Sequence, residues 1–163
     1  MGVSNSVVPT RGAAMRATVI YDTQHGNTRA IASVIAAELG SGAIALPVTA
    51  VRPELLERTD VLVVGSPVVR WNSTETIQAF LAGLTPRSLD GMRAAAFDTR
   101  VKHFIHGDAA VKISHSLQGA GATIVAHPQS FLVTGSRGPL AADARRKATA
   151  WAAFIGAELR ATA

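Results

Sequence analysis

The residues of this 163-residue chain whose types and spacing suit chemistry gather in three short stretches. The first is Thr23-Gln24-His25-Gly26-Asn27-Thr28, a turn rich in hydroxyls and amides with a single glycine. A polar turn that opens a helix aims free backbone N–H groups and the positive helix end at its guest, and the natural guest is a phosphate. A nucleoside-triphosphate loop would end in Gly-Lys-Ser/Thr, and this turn has no lysine. A dinucleotide fingerprint would carry three glycines at fixed spacing, and only Gly26 is present. The second stretch, Ser66-Pro67-Val68-Val69-Arg70-Trp71, offers apolar wall, a guanidinium and one of two tryptophans. The third begins at Thr99-Arg100 and runs on to Gly107 with further cations and Phe104. If the first stretch grips phosphate, the other two suit a flat aromatic ring.

Other chemistries fail on residues. The chain has no cysteine, which excludes disulfides, thiolate catalysis and iron–sulfur clusters. His103 and His106 are three apart, but no third ligand follows at a characteristic spacing. Asp22 invites a phospho-receiver reading, yet the third strand ends in Gly65-Ser66-Pro67 where that chemistry needs an acceptor aspartate. Ser66 lacks the elbow of a hydrolase, and no Ser-His-acid set or other acid–base catalyst is readable.

The elements that must position the three stretches follow from periodicity. Thr18-Val19-Ile20-Tyr21 is a β-branched run of strand length, and Ile31, Val34, Ile35 and Leu39 form one helical stripe. Gly40-Ser41-Gly42 ends that helix, residues 43–48 make a second strand, and Pro53 opens a brief helix. Val61-Leu62-Val63-Val64 is the continuous apolar run of a strand covered on both faces. Asn72 and Glu75 have capping-box spacing before the stripe Ile77, Phe80, Leu81 and Leu84. A fourth strand lies near residues 94–97, and Asp108 caps a helix to Leu117. The fifth strand is interrupted or bent at Pro128, and the last helix shows Ala148, Trp151, Ile155 and Leu159 on one face. Five alternations predict an α/β doubly wound parallel sheet in the order 2-1-3-4-5, with the ligand at the carboxyl ends of strands 1 and 3.

The first turn resembles the phosphate loop of flavodoxin-like proteins, Ser/Thr-x-Thr-Gly-x-Thr. Thr23, Gly26 and Thr28 match, and His25 stands where the family has its middle threonine. The His-Gly-x-Thr form is similar to the branch containing protoporphyrinogen dehydrogenases. Gly65-Ser66-Pro67, Ala96-Phe97-Asp98-Thr99-Arg100, Ser130-Phe131 and Gly138-Pro139-Leu140 extend the likeness to short bacterial flavodoxin-domain proteins over nearly the whole chain from Arg16. The resemblance implies a flavodoxin-like fold and non-covalent FMN. It assigns Thr23, Gln24, His25, Gly26, Asn27 and Thr28 to the phosphate. Ser66, Pro67, Val68, Val69, Arg70 and Trp71 take one face and edge of the ring, and Thr99 and Arg100 the other side. In carriers of the family a glycine peptide after strand 3 turns over, whereas no glycine occurs here between Ser66 and Leu81. That favours a two-electron reductase or dehydrogenase acting on a small quinone-like or porphyrin-like molecule. The alternatives are an electron carrier between proteins, and a flavodoxin fold without FMN that serves as a binding module.

Composition bounds the partners. The formal charge is +5, but basic residues are spread out and aromatics few, so no nucleic-acid platform is readable. Arg70, Arg100, Lys102 and Arg137 would make a cationic rim for an anionic redox partner, small molecule or protein. No apolar run approaches membrane-spanning length, and a cytoplasmic location is the expectation. Residues 1–14 read as a flexible tail, with Met15 as an alternative start, before a domain over 15–163. Oligomeric state leaves no mark in the sequence.

Overall fold

The computed structural model describes residues 15–102 and 108–162. The tail over 1–14 and the loop residues 103–107, with His103, Phe104 and His106, lie outside the described residues. Strands and helices alternate as β1 (Ala17–Tyr21), α1 (Asn27–Leu39), β2 (Ala43–Pro47), α2 (Pro53–Glu57), β3 (Val61–Pro67), α3 (Glu75–Ala82), β4 (Arg93–Val101), α4 (Ala109–Gly119), β5 (Thr123–Ile124), β6 (Gln129–Val133) and α5 (Ala144–Ala161). All pairings are parallel, in the order β2-β1-β3-β4-β5. β6 also pairs with β4, Phe97 facing Gln129 through Val101 facing Val133. The fifth strand is thus two segments on one neighbour, broken around Pro128 where the chain cannot donate to the ladder.

Strand periodicity divides the core in two. Val19, Tyr21, Val61, Val63, Ala95 and Phe97 face α1 and α5, where Ile31, Ile35, Trp151, Ile155 and Leu159 are buried. Ile20, Leu62, Val64, Ala94 and Ala96 face the opposite layer, with Ile77, Ile113 and Leu117. Trp151 is core: it meets Phe97 and Phe131 edge-on at 6.1 and 6.0 Å, and its Nε1 donates to His127 O at 3.1 Å. The Phe97 ring lies directly over Gly65, its register neighbour, and a Cβ there would stand 2.0 Å from the ring. Glycine at the end of β3 is therefore a packing requirement. The basic cluster Arg145-Arg146-Lys147 is exposed on α5, with Lys147 paired to Asp143 at 3.1 Å.

Two caps differ from expectation. Asn72 does not cap α3; its Oδ1 accepts from the neighbouring Ser73 N–H at 2.8 Å. Thr74 is the N-cap, taking the Ile77 N–H on Oγ1 at 3.3 Å, and Ser66 Oγ accepts the Thr74 N–H at 3.0 Å. Asp108 precedes α4 without a side-chain cap bond, its carboxylate lying 3.6 Å from Arg100 instead.

Candidate functional site

The turn between β1 and α1 is built by its own side chains. Asp22 Oδ1 accepts the Thr23 N–H at 2.9 Å, and Thr23 Oγ1 accepts the Gly26 N–H at 2.9 Å. Gly26 sits at φ 89° immediately before the helix, the left-handed region that glycine enters without penalty. The first helical bond runs from the Ala30 N–H to Gly26 O at 3.0 Å. Helix geometry therefore leaves the N–H groups of Asn27, Thr28 and Arg29 without partners inside α1. The first turn carries no acidic residue. Such an arrangement suits an anion, and its donors are mainly backbone.

Its position is fixed by long-range contacts. Thr28 is 1% exposed, and its hydroxyl is 2.8 Å from that of Thr99 at the end of β4. Asn27 Nδ2 donates to Arg137 O at 3.3 Å, which draws the loop after β6 to the same place. The neighbouring Gly138, at φ 104°, packs against the Asn27 amide so closely that a Cβ would be 2.8 Å from its oxygen.

A cavity of about 290 Å³ opens above this cradle. Thr23, Gln24, His25, Asn27 and Thr28 line one end, and Pro67, Val68, Val69, Thr99, Arg100 and Val101 the other. Parts of all three predicted stretches thus converge on one space. Gly26 contributes backbone conformation, and Ser66 stands behind the wall, fully buried and bonded to Thr74. Val133 and Ser136 also line the cavity and were not anticipated. The available signal was topological, since the loop after β6 opens at the same end of the sheet as those after β1, β3 and β4.

Arg70 and Trp71 are not in that lining. They are the central pair of a tight turn in which Val69 and Asn72 exchange backbone hydrogen bonds of 2.7 and 3.0 Å. Both have positive φ, 47° and 72°, the values of a type I′ turn that usually employs Asn or Gly. Lys112 Nζ holds Trp71 O at 3.2 Å, and the Trp71 ring is half exposed. Arg70 lines a second cavity of about 570 Å³, beyond Gln24 and Val69. That space is lined by Asp22 and Glu75, whose carboxylates repel a phosphate, so the smaller cavity suits an anion better.

Arg100 is the one arginine or lysine among the described residues that line the smaller cavity, and it is paired. Its Nε and Nη2 reach the two oxygens of the fully buried Asp98 at 2.9 and 2.6 Å. The Asp98 hydrogen bond and charge hold the guanidinium above its ordinary range despite burial, so it stays cationic at any working pH.

A flavodoxin-domain family model matches residues 18–107, over half of the chain and all the elements from β1 to the end of β4. The chain belongs to the flavodoxin-domain family. No curated protein matches it. Among solved structures, an archaeal flavodoxin aligns with TM-score 0.75 at 19% identity, covering 90% of this chain and 99% of that one. Flavodoxin 2 from Bacillus cereus aligns at 0.76 and 18%, covering 88% and 99%. Rubredoxin oxygen:oxidoreductase from Desulfovibrio gigas aligns at 0.71 and 18%, covering 89% of this chain but 36% of that one. Membership in this family indicates FMN as the cofactor, and the donor set fits it: N–H groups and hydroxyls at one end, apolar wall from Pro67 to Val69 at the other, and no carboxylate in the described lining.

Proposed function

We propose that this FMN-binding redox protein works as a two-electron reductase or dehydrogenase on a small quinone-like or porphyrin-like molecule. The bound flavin supplies the electron transfer, and the chain's residues hold and orient it. The observation that carries the reading is the Val69–Asn72 turn. In carriers of this family the loop after the third strand accommodates one-electron reduction by turning over a glycine peptide. Here both central positions are non-glycine, both ends of the turn are hydrogen-bonded, and Lys112 restrains the Trp71 carbonyl. A backbone fixed in this way favours passage of electrons in pairs.

The chain's residues divide the remaining work. The N–H groups at the start of α1, with the Thr23 and Thr28 hydroxyls, bind the phosphate. Pro67, Val68 and Val69 exclude water from one side of the ring. Exposed Arg70, Lys102 and Arg137 favour an anionic substrate or partner. Stepwise anaerobic reduction of the FMN-loaded protein, followed by visible absorption, tests the reading. Direct conversion of the oxidised to the fully reduced spectrum is expected. A large long-wavelength band at half reduction would instead favour the electron carrier.

A further inference from the structure

β4 carries a charged pair where burial makes charge costly. Asp98 and Arg100 are two residues apart on one face of the strand, 0% and 9% exposed. Asp98 accepts three hydrogen bonds: Arg100 Nε on Oδ1, and Arg100 Nη2 and the Ala110 N–H on Oδ2. The Ala110 contact, at 2.9 Å, fastens the pair to the first turn of α4. Asp108 adds a looser contact at 3.6 Å. Three donors hold Asp98 in place, whereas Arg100 Nη1 has no hydrogen-bond partner among the described residues. The space that Arg100 borders is the cavity read above as the FMN site.

An apolar pair of similar volume would hold β4 to α4 as well or better, because a buried ion pair rarely repays its own desolvation. What an apolar pair cannot do is fix a cation at a cavity wall. We infer that Arg100 holds a permanent positive charge against the bound FMN and favours its reduced form, with Asp98 as the positioning residue that sets the plane of the guanidinium. The inference rests on the FMN reading. Two-electron reduction with uptake of one proton adds one negative charge to the ring system. A preorganised N–H with positive charge binds that form more strongly than the neutral oxidised ring, most of all in a site screened from water.

The test measures the dissociation constant of oxidised FMN and the midpoint potential of the bound flavin, with dithionite supplying electrons and a reference dye reporting equilibrium. Arg100→Gln leaves Asp98 buried and uncompensated, so the double variant Asp98→Asn/Arg100→Gln is measured beside it. In Arg100→Gln, reduced FMN should lose about tenfold in affinity relative to oxidised FMN, which is about 30 mV lower in potential for a two-electron couple. The double variant should shift the same way by less, because the opposing Asp98 charge is gone as well. Arg100→Lys should recover part of the loss through its charge. Asp98→Asn removes the counter-charge while Arg100 remains, and should move the potential in the opposite direction, upward. A merely structural role for the pair would destabilise the fold in every variant without this reversal of sign. A folded double variant that binds FMN at an unchanged potential would overturn the inference. Failure of the wild-type protein to bind FMN would overturn the cofactor reading and this inference with it.

Discussion

At the scale of single residues, the phosphate cradle separates into what the backbone does and what hydroxyls do. Gly26 has φ 89°, yet a Cβ built on it meets nothing within 4 Å. The requirement there is conformational and not steric. Gly26→Asn should therefore retain most FMN affinity, because asparagine tolerates the left-handed region, whereas Gly26→Val should cost about 1–2 kcal/mol or more. Thr28 differs, since its hydroxyl is buried against Thr99 at 2.8 Å and leaves a partner behind when removed. Thr28→Ala should weaken FMN binding by roughly 1–2 kcal/mol and leave riboflavin, which lacks the phosphate, little changed. Calorimetric titration of both ligands checks each statement. Equal losses for Gly26→Asn and Gly26→Val would show that the site needs an absent side chain after all. The turn from Thr23 to Thr28 was legible in the sequence because hydroxyls, glycine and helix start lie within six consecutive positions. The Thr28–Thr99 bond was not, since its partners are 71 residues apart and only the sheet order brings them together. Arg100 reads in the sequence as a rim cation, and the structure pairs it with Asp98. The two-residue spacing puts both on one face of a strand, but spacing alone does not reveal burial.

At the scale of elements, the turn after β3 departs most from local preference. Periodicity located β3 and α3, while the chemistry of the link between them stayed hidden. Asn72 and Glu75 have the spacing of a capping box, yet the chain spends Asn72 closing the hairpin turn and caps α3 from Thr74. Nothing in Arg70-Trp71 announces a type I′ turn, because neither residue type favours positive φ. Such residues cost about 1–2 kcal/mol each in the left-handed region, so the turn is held by its surroundings: the paired ends and Lys112. Trp71→Gly should remove part of that cost and raise the stability of the apoprotein by about 1 kcal/mol, read as a higher denaturation midpoint in urea. The same variant supplies the glycine that carriers of the family use, and should increase the long-wavelength absorption at half reduction. Greater stability with an unchanged reduction spectrum would remove this turn as the basis of the proposed two-electron chemistry. The break at Pro128 was legible as a proline, though not the consequence that both segments on either side pair with β4.

At the scale of the whole molecule, net charge and charge placement make separate contributions to how a partner is met. The chain carries a formal +5. Arg70, Lys102 and Arg137 are exposed on the loops after β3, β4 and β6, the loops that border the cavity, and take part in no ion pair among the described residues. Arg58 and Arg160, equally exposed, follow α2 and close α5, at the end of the sheet where strands begin. A charge steers a small anion only within about a Debye length, about 8 Å at physiological ionic strength. The cations near the cavity should therefore count and the distant ones should not. The rate of flavin reoxidation by an anionic quinone should fall steeply as salt is added, while a neutral quinone of similar potential should respond little. Arg70→Gln/Arg137→Gln should flatten the salt dependence for the anion, and Arg58→Gln/Arg160→Gln, which removes the same net charge, should leave it intact. Stopped-flow reoxidation at several ionic strengths measures all four cases. Identical slopes for the two double variants would mean that the molecule acts through its total charge alone, and the cationic rim would then have no part in choosing the partner.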